Sequence, residues 1–212
     1  MGRSAQKTGD KWKAMRVVLA SKSPRRKEIL ENLGVKFDVI VADADESCDI
    51  ESPHGRVGAL AEIKGRAVLQ YLCERREETD CLIIASDTLV YACGEFLGKP
   101  HSREDARKMI SMLSGKAHSV VSGLYLYLNG KEYVGASETR VVFDEMTDGE
   151  IEDYISSSEP YDKAGGYAVQ GLASLYVSGL EGDYFNVVGL PVNLLYKALK
   201  NEFGIDFKSL KA

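Results

Sequence analysis

The chain has 212 residues, a hydrophobic fraction of 44%, a charged fraction of 28% and a formal net charge of -5. These values are typical of a globular protein with one large domain or two lobes sharing a core. The acidic balance argues against a general nucleic-acid or membrane-surface binder, because both classes are normally basic. A small anionic ligand is compatible with it, since a few local cations can dominate one cleft.

The sequence shows no recognisable targeting or membrane-spanning segment. No run reaches the roughly 18 apolar residues that a membrane span requires, and residues 1–14 lack the apolar core of a secretory signal. We predict that residues 1–14 form a disordered extension and that residues 15–212 form a single domain. The four cysteines lack zinc-binding spacing, which favours reduced structural thiols. We therefore expect a cytoplasmic protein that binds neither membranes nor nucleic acid.

The first half of the chain alternates between predicted strands and helices. Apolar runs predict strands, and apolar residues at helical spacing predict helices. Ser23 and Pro24 suit the start of the first helix, and Gly34 suits its end. The predicted strands cover residues 17–20, 37–41 and 81–85, and the predicted helices cover residues 24–33 and 55–75.

The second half adds hairpins to this alternation. Asn129 and Gly130 are a strong hairpin signal between two long apolar segments, and Thr147 with Glu150 has the spacing of a helix-opening capping box. The predicted strands cover residues 89–92, 95–97, 119–128, 131–144 and 173–180, and the predicted helices cover residues 102–113, 147–156 and 190–203. Because hairpins interrupt the alternation, the pattern favours a mixed α/β sheet over a purely parallel one.

An acidic residue interrupts the apolar segments at position 87. Asp87 follows a predicted strand at residues 81–85, and Leu89 and Val90 continue the apolar pattern beyond it. A carboxylate in such a place is costly unless a group pairs with it, and the end of a buried strand is where α/β folds tend to place their sites. A bound cation or a catalytic water would account for Asp87. Capping of a turn is the structural alternative.

Several basic residues occur where an anion would explain them. Arg25 and Arg26 lie in the first turn of a predicted helix, where a cation opposes the helix dipole but free N–H groups suit phosphate. The alternative is a solvated arginine pair. Lys64 lies on the apolar face of its predicted helix, so it must reach solvent, pair with an acid or face a cleft. Lys99 would project from a rigid turn, which is a weaker signal.

Two later segments carry further signals. Residues 161–171 contain Gly165 and Gly166, which let the backbone approach a ligand closely, and Gln170, whose amide can both donate to and accept from a base edge. A plain turn is the alternative for the glycines, and the loop at residues 183–191 is explained equally well as purely structural. Together the cations and carboxylates are the residue set that a metal-bound polyphosphate requires.

The order of these motifs resembles the Maf family of nucleoside triphosphate pyrophosphatases over about residues 17–203. The motifs that carry the resemblance are residues 19–26, 86–88, 98–100, 113–115 with His118, 161–171 and 186–191. The resemblance implies hydrolysis between the α- and β-phosphates of a nucleoside triphosphate, giving the monophosphate and pyrophosphate. It also implies a divalent cation (Mg²⁺ or Mn²⁺), a homodimer, and an elongated, mixed central sheet flanked by helices, with two lobes around a cleft as in the inosine triphosphate pyrophosphatases.

The resemblance also assigns roles to individual residues. Asp87 matches the proton acceptor of the family. Three positions match those tied to base selectivity, in the combination of the dTTP/UTP pyrophosphatase subgroup: Arg25, Thr88 and Gln170. The implied substrate-binding set is Ser21, Arg25, Arg26, Lys64, Thr88, Lys99 and Gln170.

The implied metal ligands are Glu46 and Asp87. Asp43 and Asp45 are alternatives to Glu46, because the acidic loop around them is irregular. We expect Asp87 to orient and deprotonate a water that attacks the α-phosphorus. Gln170 would read the pyrimidine, and Thr88 would shape the pocket.

Two other functions are compatible with parts of this pattern. One is a member of the same family with a different base preference. The other is a nucleotide-binding regulator of cell division that does not hydrolyse its ligand. The intact set of acidic and basic positions speaks against the second, since binders that have lost activity usually lose the catalytic base first. The preferred nucleotide among dTTP, UTP, CTP and modified pyrimidines is not decided by the sequence.

Overall fold

One mixed sheet of seven strands runs through residues 15–77 and 79–211, the part of the chain that the computed structural model describes. The strand order is β2-β1-β3-β5-β6-β7, and β4 pairs with the far end of β3. The strands are β1 (Arg16–Leu19), β2 (Asp38–Val39), β3 (Cys81–Ala92), β4 (Glu95–Leu97), β5 (Ala117–Leu128), β6 (Lys131–Phe143) and β7 (Val177–Glu181). β1 runs parallel to both of its neighbours, whereas all other pairings are antiparallel. The predicted mixed α/β sheet is therefore confirmed.

Helices cover both faces of this sheet. They are α1 (Pro24–Asn32), α2 (Pro53–Glu74), α3 (Arg103–Leu113), α4 (Asp148–Ile155), α5 (Tyr184–Val188) and α6 (Val192–Glu202). Single 3₁₀ turns occur at Pro160–Asp162, Ala164–Gly166, Leu172–Leu175 and Phe207–Leu210. The predicted caps form as expected: the Ser23 hydroxyl accepts from the Arg26 N–H, and Thr147 and Glu150 make a reciprocal capping box. Among the described helices, none is both long and apolar enough to cross a membrane.

Successive buried side chains of β3 pack on opposite faces of the sheet. Leu82 and Ile84 pack in the cluster formed with α1 and α6, whereas Ile83 and Ala85 pack in the cluster formed with α2. Because successive side chains of a strand point to opposite faces, Asp87 lies on the α2 face. A further cluster surrounds α3 and α4 at the other end of the long strands. We refer to the α1, α2 and α6 end as the first lobe and to the α3 and α4 end as the second lobe.

A gap in strand pairing along one edge of β3 separates the two lobes. β1 pairs with Cys81–Ile84 and β4 pairs with Val90–Ala92, so within the described chain no strand pairs with residues 85–89 on that edge. The opposite edge of β3 is paired with β5 throughout this stretch. Asp87 lies at the centre of the gap.

Helix α2 lies close against the sheet because two glycines allow it. A Cβ atom at Gly123 would overlap the Val57 carbonyl oxygen, and one at Gly65 would overlap the Tyr125 ring. Gly123 is also the β5 partner of Asp87 in the strand register. The close packing therefore brings α2 directly over the gap in β3.

Four predicted segments differ from the structure. The segment expected to be a loop at residues 183–191 contains helix α5 (Tyr184–Val188). The strand expected at 37–41 is reduced to Asp38–Val39, and the strand expected at 173–180 begins at Val177 after a 3₁₀ turn. β3 does not stop at Ala85, so the prediction that Asp87 follows the end of a strand is wrong. Antiparallel pairing with β5 continues β3 as far as Tyr91. The extension predicted for residues 1–14 lies outside the described residues.

Candidate active site

A cavity of about 770 Å³ opens at the gap between the lobes. Its lining brings together all nine residues that the sequence predicted for the site: Ser21, Arg25, Arg26, Glu46, Lys64, Asp87, Thr88, Lys99 and Gln170. The first lobe supplies the residues up to Lys64, β3 supplies Asp87 and Thr88, and the second lobe supplies the rest. The cavity is therefore formed by both lobes.

Asp87 forms an ion pair with Lys64 on the α2 face. The Lys64 ammonium donates to Asp87 Oδ1 and lies 3.0 Å from Glu46 Oε2. The Asp87 side chain is 13% exposed and that of Lys64 is 23% exposed, whereas Glu46 is 54% exposed. Of the outcomes considered for Lys64, two occur together: it pairs with acids and it faces the cleft.

The chemistry of the Glu46 and Asp87 carboxylates suits a divalent cation. Both carboxylates contact the Lys64 ammonium and therefore lie near each other, and carboxylate oxygens are the ligands that Mg²⁺ prefers. Residues 15–77 and 79–211 contain no group of three or more His, Cys, Asp or Glu suited to a metal ion. A cation here would therefore need additional oxygen ligands from water or from substrate phosphates, which is the usual way proteins bind Mg²⁺.

The acidic loop favours Glu46 over its alternatives. The Asp45 carboxylate accepts from the Ser47 N–H at 3.0 Å and from the Ser47 hydroxyl, and these bonds hold its pKa below the usual range. Asp45 does not line the cavity. Asp43 lines it, but Glu46 is the loop acid that contacts Lys64.

Arg26 is bound by protein groups on all three nitrogens. It donates to the Gly189 carbonyl oxygen at 2.7 Å, to Ser21 Oγ at 3.1 Å and to Thr88 Oγ1 at 3.2 Å. Burial lowers the pKa of the guanidinium from its very high usual value, and the Asp87 carboxylate opposes that change. Arg26 thus presents a positive charge in a fixed orientation at the cavity wall.

Thr88 and Gly189 connect three elements on the face opposite α2. Thr88 Oγ1 lies 2.8 Å from Ser122 Oγ and 3.3 Å from the Gly189 carbonyl oxygen, which also accepts from Ser86 Oγ at 3.2 Å. The motif at residues 186–191, which spans the end of α5 and its connection to α6, therefore anchors the site, a role that the sequence left undecided. Ser122, a buried polar residue in an otherwise apolar strand segment, is the signal that sequence reasoning missed.

The second lobe contributes two predicted residues, Lys99 and Gln170, and two charged residues to which the sequence assigned no role, Asp162 and Lys163. Asp162 lies 3.7 Å from Arg25 across the cavity and forms an ion pair with Lys163. Both neighbours hold the pKa of Asp162 below its usual value, against the effect of its partial burial. Lys99 and Gln170 are exposed at this side of the cavity. The polar groups on the second-lobe side of the cavity thus include an acid as well as cations.

Residues 16–202 match the sequence profile of the family described as Maf-like protein. The chain belongs to the Maf family. The resemblance noted from the ordered motifs is therefore confirmed. Five of the six motifs contribute residues to the cavity lining, whereas the motif of residues 113–115 with His118 does not.

Similar Maf-family proteins in bacteria carry a common name. A Desulforamulus reducens protein is 44% identical over 193 residues, covering 90% of this chain and 97% of its own length. A Bacillus cereus protein is 41% identical over 192 residues, with the same coverage. A Caldanaerobacter subterraneus protein is 42% identical, covering 91% of this chain and 92% of its own. All three are named dTTP/UTP pyrophosphatase.

The Maf chain also has the fold of a solved structure. The Staphylococcus aureus Ham1 protein superposes with a TM-score of 0.50 at 14% sequence identity, covering 88% of this chain and 99% of that chain. At this level of identity the likeness shows the fold alone. It confirms the α/β fold class expected from the sequence.

Proposed function

We propose that this protein hydrolyses dTTP, UTP and related or modified pyrimidine nucleoside triphosphates to the monophosphate and pyrophosphate. The observation that carries the proposal is the grouping of Asp87, Lys64 and Glu46 in a cleft that also contains two arginines and three further lysines. The name shared by relatives at 41–44% identity supports the same reaction and the same substrates.

The reaction requires a proton acceptor beside the α-phosphate. In our hypothesis Asp87 accepts a proton from a water whose oxygen attacks the α-phosphorus in line, and the bond to the oxygen bridging the α- and β-phosphates breaks. Pyrophosphate leaves with that oxygen. Glu46 and Asp87 would hold Mg²⁺ or Mn²⁺, which when bound supplies Lewis-acid stabilisation of phosphate oxygens.

The cations of the cleft offset the negative charge of the substrate. We assign Arg25, Arg26, Lys64 and Lys99 to the phosphates, where fixed positive charges stabilise the charge that develops on the leaving group. Ser21 holds Arg26 in place through its hydroxyl. We assign base recognition to Gln170, with Thr88 shaping the pocket by holding Arg26 and Gly189.

The proposal is tested by incubating the protein with each common ribo- and deoxyribonucleoside triphosphate and Mg²⁺, followed by separate assays of pyrophosphate and orthophosphate. We expect pyrophosphate in equal amounts to the monophosphate, with dTTP and UTP turned over fastest. Preferential turnover of purines would indicate another base preference within the family. Binding without turnover would indicate a regulator, and orthophosphate release would exclude this reaction.

A homodimer and a cytoplasmic location belong to the same proposal. The dimer follows from the family resemblance, and the location follows from the composition of the sequence. Size-exclusion chromatography with light scattering measures the first, because a dimer has twice the mass of the 23.3 kDa chain. A monomer across the micromolar range would remove the dimer from the proposal.

A further inference from the structure

The proposed base-reading residue lies at the end of an irregular segment. Residues 162–170, here called the cleft loop, line the second-lobe side of the cavity and contain a single 3₁₀ turn as their regular structure. Gln170 is the last residue of the cleft loop and is exposed. Since little regular structure supports the loop, the position of Gln170 depends on contacts with neighbouring groups.

Glu159 binds both ends of the cleft loop. Its Oε2 accepts from the Leu172 N–H at 2.7 Å, and its Oε1 accepts from the Ala173 N–H at 3.2 Å, just beyond Gln170. Its backbone carbonyl oxygen accepts from the Lys163 ammonium at 3.0 Å, at the start of the loop. One residue therefore closes the loop from both sides.

Tyr154 adds an anchor at the middle of the cleft loop. Its hydroxyl lies 3.0 Å from Glu159 Oε1 and 3.1 Å from the Gly166 carbonyl oxygen. Burial, with the nearby Glu159 carboxylate, raises the pKa of Tyr154, so the phenol keeps its proton and can donate. The carboxylate of Glu159 thus has three donors within hydrogen-bond distance.

Gly171 leaves room for this arrangement. A Cβ atom at position 171 would overlap the Glu159 carboxylate, with Oε2 as the nearest atom. Gly171 directly follows Gln170 in the chain. The absence of a side chain at position 171 therefore lets the Glu159 carboxylate sit against the backbone next to Gln170.

We infer that Glu159 is a positioning residue that sets the orientation of Gln170 and thereby the base preference of the enzyme. This inference rests on the proposed function. Glu159 itself does not line the cavity, so it acts through the cleft loop and does not touch the nucleotide. The groups assigned to the chemistry, Asp87, Lys64 and Glu46, lie on β3 and on the first-lobe side of the cavity. They are therefore separate from the second-lobe groups that Glu159 contacts.

The test measures kcat/KM for dTTP and for GTP in wild type and in Glu159→Gln. Glutamine has nearly the shape of glutamate, but its NH₂ group would face a backbone N–H, and neither of these two donors can accept the other's hydrogen. We expect the dTTP to GTP ratio to fall about tenfold, the factor that one hydrogen bond to a charged group is worth. The change should appear mainly in KM for dTTP, because the groups assigned to chemistry are untouched.

Glu150→Gln is the matched control. The Glu150 carboxylate also accepts from a backbone N–H at a helix start, at 2.7 Å from Thr147 N, and it does not line the cavity. This variant should lose comparable thermal stability and keep the wild-type ratio. Glu159→Asp, which keeps the charge, should restore part of the ratio. Gly171→Ala disturbs the same contact from the other side and should lower the dTTP to GTP ratio in the same way. It therefore still tests the inference if Glu159→Gln fails to fold.

The double variant Glu159→Gln with Gln170→Ala separates positioning from general loosening. If Glu159 acts through Gln170, its substitution changes the ratio little once the Gln170 side chain is removed. An equal effect in both backgrounds, or an unchanged ratio in the folded Glu159→Gln and Gly171→Ala variants, would overturn the inference. The ratio of dissociation constants for the α,β-methylene analogues of UTP and GTP gives the same comparison without turnover. Failure of hydrolysis in wild type therefore counts against the proposed function, and failure of these ratios to shift counts against Glu159.

Discussion

At the scale of single residues, the site depends on charges placed where they are costly. Asp87 is mostly buried and is compensated by the Lys64 ammonium, which Glu46 shares. A buried carboxylate needs such a partner, because its desolvation is otherwise unfavourable. The same geometry leaves a carboxylate and a lysine facing the cavity, where a phosphate and its attacking water would lie.

Replacing Asp87 by asparagine tests the proton-acceptor role. We expect Asp87→Asn to fold and to bind nucleotide but to lose about a hundred- to ten-thousand-fold in kcat, the typical contribution of a general base. Pyrophosphate release and the melting temperature are the measurements. Asp45→Asn is the control, because Asp45 bonds locally to Ser47 and does not line the cavity. Near-wild-type turnover in Asp87→Asn would contradict the assignment.

At the scale of elements, the decisive feature is the packing of α2 across the gap in β3. Gly123 and Gly65 let the helix approach the sheet, and the approach carries Lys64 to Asp87. Side chains at these two positions would separate the helix from the sheet, because a Cβ would overlap atoms that cannot move freely. The position of the Lys64 ammonium is therefore set by the distance between α2 and the sheet.

Gly123→Ala tests this dependence. The added methyl group would overlap the Val57 carbonyl oxygen, so α2 must shift, and we expect a loss of about 1–3 kcal/mol in the free energy of unfolding together with lower turnover. Urea denaturation and kcat report the two effects. Gly149 lies in the first turn of α4, where an added Cβ atom would lie 4.0 Å from Thr147 Oγ1, so Gly149→Ala should instead stabilise the protein slightly. Equal stability of the two variants would argue against close packing at Gly123.

At the scale of the whole molecule, the second lobe is held together partly by a neutral histidine. His118 is 5% exposed, and its Nε2 lies 2.6 Å from the Tyr167 hydroxyl, beside the Phe143 ring. Burial lowers the pKa of His118 to about 4, and it raises the pKa of Tyr167. Both side chains are therefore uncharged at neutral pH, and protonation of His118 opposes folding.

The stability of the molecule should consequently fall on acidification. Between pH 6.5 and about 4 the unfolded chain binds a proton at His118 that the folded chain does not, so stability rises with pH in this window and is lost as pH falls. The loss attributable to His118 is about 3 kcal/mol across the window. Urea unfolding at a series of pH values measures it. In His118→Gln the slope of the free energy of unfolding against pH should decrease by the amount that corresponds to about one bound proton. An unchanged slope would assign the pH dependence to other groups.

Much of the site was predictable because its residues conflict with their local surroundings. Asp87 between apolar segments, Lys64 on an apolar helix face and two arginines at a helix start are each unfavourable without a partner or a ligand. Such conflicts can be identified from the sequence without a structure. Glu159 and Asp162 show no comparable conflict, because nothing in the surrounding sequence indicates that Glu159 binds the backbone at Leu172 or that Asp162 faces Arg25.

The sequence by itself determined the mixed sheet and most helix limits, because hydrophobic periodicity, capping and turn chemistry act over a few residues. The full set of residues around the cleft was implied by the resemblance of the ordered motifs to the Maf family. Only the tertiary structure decided that β3 continues past Asp87 and that the site is a gap between β1 and β4. Pairing partners from distant parts of the chain control where a strand ends. The distance between Lys64 and Asp87 likewise follows from packing between α2 and the sheet, which no local pattern encodes.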